Sequence, residues 1–143
     1  MNRSIKGHME LALRMLEEAR EYVPKGDSVQ ASEKLYKTAE ESLKSIAYKL
    51  GLDVAKAADE RGRWTVSLLF DAVTAISEKV GEDVTHWWDS AWVLHVEGFH
   101  EARLSIKHVN TRISDVERIV QLARRLDTLK PGKLNLCTRS CLH

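Results

Sequence analysis

Apolar residues recur along the chain with the period of an α-helix. Ile5, Met9, Ala12, Leu16, Ala19 and Val23 fall at i, i+4, i+7, i+11, i+14 and i+18, which is one face of a helix. Charged residues fill the other face, and Pro24, Gly26 and Asp27 end the pattern. Asp27 with Gln30 three residues on has the form of a capping box for a second helix. Its stripe is Leu35, Ala39, Leu43, Ile46 and Leu50, and it stops at Gly51. The connection is short, so the first two helices should form an antiparallel hairpin. From Leu52 to Trp64 the period fades, and a short helix and a structured loop both fit. Thr65 caps a third helix carrying Val66, Leu69, Val73, Ile76 and Val80, with Gly81 at its end. Asp83 caps a fourth, expected to run to about Val109. Ser114 and Glu117 suggest a second capping box, ahead of Val116, Ile119, Ala123, Leu126 and Leu129. Pro131 and Gly132 close the last helix. The expectation is an all-α, up-and-down bundle of about five helices over residues 1–130, followed by a flexible tail over 131–143.

The fourth helix stands apart. The stretch from Trp87 to Glu101 holds three of the four tryptophans, two of the six histidines, and Glu97 and Glu101. Val84, Trp88, Ala91, His95, Ala102, Ile106 and Val109 share one sector of its wheel, while Trp87, Val93, Leu94, Val96 and Leu104 lie elsewhere. A helix apolar nearly all round is central to its bundle or buried between subunits. This one is therefore expected to be the most buried, with a second copy of the chain covering one side. Gly98 in its interior costs about 1 kcal/mol relative to Ala, which fits a close approach of another element. His95, at the centre of the stripe, should be buried and hydrogen-bonded, with Glu40 as the expected partner.

Charge narrows the function. Lys+Arg (22) and Asp+Glu (21) nearly cancel, which gives no basic footprint for duplex DNA. The N-terminus has no apolar signal core, and no apolar run reaches the roughly 18 residues of a membrane span. A cytoplasmic protein is expected. Glu97-Gly98-Phe99-His100 matches the Glu-x-x-His unit that di-iron bundles use twice, but it occurs once here. Cys137, Cys141 and His143 in the tail do not make a zinc pattern. There is no phosphate-binding glycine loop and no nucleophile triad. No metal and no cofactor are expected.

Lys34-Leu35-Tyr36-Lys37 before Ala39-Glu40-Glu41, then Arg61-Gly62-Arg63-Trp64, then Ala91-Trp92-Val93-Leu94-His95-Val96-Glu97-Gly98-Phe99-His100-Glu101, resemble the archaeal PaREP family, over about Ser28 to Leu129. The resemblance implies a bundle similar to the HEPN (higher eukaryotes and prokaryotes nucleotide-binding) superfamily and a thermophilic archaeal source. HEPN proteins form homodimers and often work beside a nucleotidyltransferase in toxin–antitoxin or defence modules. Active members cleave RNA without metal through an Arg-x4-6-His motif, the arginine holding phosphate and the histidine moving protons. Arg103 and His108 satisfy that spacing, and so do Arg3 and His8. On a continuous helix Arg103 and His108 diverge by about 140°, and His108 falls with Glu97 and Glu101, whose charge repels phosphate. The expected function is therefore a non-catalytic HEPN-like homodimer that binds a nucleotide, RNA or protein partner through a polar cluster of Glu40, His95, Glu97, His100 and Glu101. The alternative is a metal-independent ribonuclease using Arg103 and His108.

Overall fold

A computed structural model describes residues 2–129, with side chains from Lys6 onward. The expected tail, with Cys137, Cys141 and His143, lies outside the described residues, as does the Arg3 side chain. All regular structure among the described residues is helical. Helix α1 spans Asn2–Tyr22, α2 Ser28–Lys49, α3 Asp53–Arg61, α4 Val66–Val80 and α5 Val84–Val93. A π turn, Leu94–His100, continues α5, and α6 (Ile106–Asn110) and α7 (Ile113–Asp127) follow.

The α1–α2 hairpin is antiparallel. Glu18 meets Lys34 at 2.9 Å near the connection, and His8 meets Glu41 at 2.6 Å farther along. Asp27 accepts a hydrogen bond from the Gln30 amide at 3.1 Å, and Thr65 accepts one from Leu68 at 3.2 Å, so both caps form as expected. The stretch that fits either a helix or a loop is a short helix, α3, ended by Gly62 at φ +79°, a left-handed conformation that glycine adopts without strain. The other two caps differ from expectation. Asp83 makes no side-chain cap bond, and α7 starts one residue before Ser114, with Arg112 at its N-cap position. Glu117 turns outward to Arg20 at 2.9 Å instead of back to the helix start.

The centre of the bundle is α2, not the fourth helix. It touches every other helix and the π turn. Twelve of its 22 residues are buried, against Val84, Trp88 and Ala91 in α5. The reason is size. Ala31, Ser32, Thr38, Ala39, Ser42, Ser45 and Ala47 are small, so neighbours close directly onto the α2 backbone. Of the α5 tryptophans only Trp88 is fully buried, while Trp87 and Trp92 pack against the core and keep an edge outside. Polar links fasten the rest: Ser90 Oγ donates to Asp115 at 2.6 Å, and Arg125 meets Glu82 at 3.2 Å.

The fourth helix does not run on to Val109. Its winding loosens to a π turn at Leu94 and stops at His100, and Ala102 has φ +54°, the one positive φ outside glycine among the described residues. The chain restarts as α6 at Ile106. Leu94 and Gly98 face α2 and are buried. A Cβ on Gly98 would run into Ser32 Oγ and come within 2.6 Å of Ser32 Cβ, so this glycine is what lets the turn seat on α2.

Candidate functional site at the π turn

In a π turn residues five apart become neighbours, because the backbone bonds run i to i+5. The amide of Glu101 donates to the Val96 carbonyl in this way at 2.9 Å. The winding brings His95 and His100 together: their Nε2 atoms stand 3.2 Å apart with the rings edge to face. On a continuous α-helix residues five apart would diverge by about 140°.

Rings gather round this pair. Tyr36 of α2 stacks on His95 with centroids 4.0 Å apart, and Trp92 lies 5.3 Å from the same ring. Phe99 flanks His100 at 5.2 Å, and Phe70 of α4 meets Trp92 edge-on at 5.2 Å. Trp92 and Phe99 are half-buried and His100 is exposed, so the row opens to solvent at its outer edge.

The wall behind the rings is a charged stripe on α2. Glu33, Lys37, Glu40 and Lys44 sit at i, i+4, i+7 and i+11. Glu40 lies 2.8 Å from Lys44 and 3.6 Å from Lys37. The carboxylate nearest His95 is Glu33, whose Oε1 lies 3.8 Å from His95 Nδ1, while the expected partner Glu40 acts on the ring by charge without a hydrogen bond. Nor is His95 fully enclosed: about 20% of its side chain is exposed. Its Nδ1 and Glu33 Oε1 are nonetheless shut off from solvent, and neither has a hydrogen-bond partner. Burial raises Glu33 above the usual carboxylate range, against the pull of Lys37. Burial lowers His95, and the nearby His100 pushes the same way. Tyr36 is driven well above the ordinary phenol range by burial, with Glu40 and Glu33 adding to it.

The remaining expected site residues separate. Glu97 binds Arg103, whose Nη2 and Nε lie 2.7 and 2.9 Å from Oε1. Glu97, through its hydrogen bond, and Glu101, by charge alone, both act on the Arg103 guanidinium. His108 is exposed on α6, beyond the break, with no hydrogen bond to its ring among the described residues; its carbonyl accepts from Thr111 and Arg112. The expected alignment of His108 with Glu97 and Glu101 presupposes a continuous helix and does not hold. His8, the other Arg-x4-His histidine, is engaged elsewhere. Its Nδ1 lies 2.6 Å from buried Glu41, which also receives Lys44 at 3.0 Å. No group of three His, Cys, Asp or Glu side chains able to hold a metal ion is found among the described residues.

Glu33, Tyr36 and Lys37 are the site residues that apolar periodicity passes over. The signal for Glu33 and Lys37 is the charged stripe itself, which repeats on α2 at the same helical spacing as the apolar one.

The sequence profile described as the archaeal PaREP1/PaREP8 family matches residues 7–120, a span that contains the whole π-turn site. A crystal structure of a protein from Sulfolobus solfataricus is 38% identical and superposes with a TM-score of 0.75, covering 81% of this chain and 95% of that one. A solution structure of the same target is also 38% identical, with a TM-score of 0.72, covering 81% of this chain and 90% of that one. No curated protein matches. Over most of its length, the chain belongs to the archaeal PaREP1/PaREP8 family.

Proposed function

We propose that this protein is a non-catalytic, HEPN-like binding module, acting as a homodimer, that takes up a nucleotide through its base at the π turn. The observation that carries the reading is the row of rings running from Tyr36 through His95 to Phe99 and His100, open at one edge. A flat base stacks on such rings for about 1–3 kcal/mol. The charge around the row favours the base over the phosphate. Glu33 and Glu40 stand behind it, and the nearest ammonium groups, Lys37 and Lys44, are already held by Glu40. The reading is tested by titrating adenosine and AMP while following tryptophan fluorescence. Quenching of comparable strength by both, lost in Phe99→Ala, is expected; no quenching, or quenching by AMP alone, would reject base recognition.

One observation favours the ribonuclease alternative: with the helix broken at Glu101–Ser105, the angular divergence that a continuous helix imposes on Arg103 and His108 does not apply. Against it, the Arg103 guanidinium is neutralised by Glu97, and the His108 ring has no hydrogen bond to orient it among the described residues. The test is RNA cleavage in the presence of EDTA by wild type and by His108→Ala. Activity lost in the variant would make catalysis the leading reading. A nucleotidyltransferase partner remains part of the proposal through the HEPN resemblance.

A further inference from the structure

We propose that His95 and His100 form a site for one divalent transition-metal ion that prefers imidazole nitrogen, such as zinc or nickel, with Glu33 orienting His95 from behind. The facing Nε2 atoms, 3.2 Å apart, set the chemistry. Two protonated rings would press N–H against N–H, so the gap accepts a single shared proton or a single cation that takes both lone pairs. Two nitrogens bound at about 2.1 Å to a tetrahedral ion stand roughly 3.4 Å apart, close to the spacing already present.

His95 Nδ1 faces Glu33 Oε1 at 3.8 Å, and both atoms are shut off from solvent with no hydrogen-bond partner. The tautomer with its hydrogen on Nδ1, toward the Glu33 carboxyl, leaves the Nε2 lone pair directed at His100. A carboxylate behind a histidine in this way fixes ring orientation and raises basicity at metal centres. His100 is exposed, so water can complete the coordination. The charges facing the pair are Glu33, Glu40 and Lys37, and Lys37 is drawn toward Glu40 at 3.6 Å. The site does not depend on base recognition, and it is tested without nucleotide.

The experiment is calorimetric titration of zinc and of nickel into the full chain carrying Cys137→Ser and Cys141→Ser, which removes competing thiols. One ion per chain is expected. His100→Gln should abolish binding, and Glu33→Gln should weaken it about 10–100-fold. Thermal melting of His100→Gln should match the parent, because that side chain is exposed. Absence of binding in the parent, or weakening of less than about tenfold in His100→Gln, overturns the assignment whatever the outcome with nucleotides.

Discussion

Gly98 is the position where one absent methyl group decides whether the π turn can seat. An added Cβ would fall on Ser32, a fully buried side chain on the central helix with little room to retreat. Overpacking of this kind costs about 1–3 kcal/mol. Gly98→Ala should lower the midpoint of chemical denaturation accordingly, and the Ser32→Ala double variant should recover part of the loss. An unchanged Gly98→Ala midpoint would show that the turn does not rest on that contact. Glu41 poses a different question at the same scale. Burial alone would raise its carboxyl, but the hydrogen bond from His8 and the Lys44 ammonium outweigh this and hold it below its ordinary value of 4.5. A carboxyl depressed in the folded state contributes stability that is complete above the unfolded value. That contribution is lost as the pH falls below 4.5 and through the folded value. Glu41→Gln should therefore be less stable at pH 7 by about 1–3 kcal/mol, with the gap to wild type narrowing in acid. Denaturation curves across pH check the sign: a gap that widens in acid would contradict it.

At the scale of elements, the sequence carried the helices well and the site only in part. The apolar stripes of α1, α2, α4 and α7, the caps at Asp27 and Thr65 and the stop at Gly81 are where the periodicity puts them. These features depend on residues close in sequence. The π turn does not. Over the seven residues from Leu94 to His100, winding at 3.6 residues per turn and the looser π winding give nearly the same apolar pattern. What separates them is the fit of Gly98 against Ser32, a contact between two helices. For that reason His95 and His100 were legible as site residues but not as a facing pair, and Glu33 was not legible as the partner of His95. The same local irregularity should show in dynamics. Amides of Ala102, Leu104 and Ser105, outside regular helix, should exchange with solvent much faster than those of α2, which is buried along its length. Hydrogen-exchange mass spectrometry would refute this if the segment were as protected as α2.

At the scale of the whole molecule, the outer face of α4 and α5 is left partly uncovered. Val66 and Phe70 are 51% and 38% exposed, and Phe70 continues into Trp92. The proposed homodimer would bury this face, which differs from a fully central fourth helix only in needing the second copy on one side. Sedimentation should give a dimer at micromolar concentration, and Phe70→Glu should shift it to monomer with its fold intact. A wild-type monomer would exclude the dimer.

On the proposed reading, the π turn rather than the Arg103–His108 segment meets the ligand. Amide chemical-shift mapping during titration with AMP separates the two. Shifts are expected to concentrate at Trp92–His100 and at Glu33–Glu40 on the facing stretch of α2, with α6 little changed. Shifts confined to Arg103–Arg112, or absent from both α2 and the π turn, would contradict it.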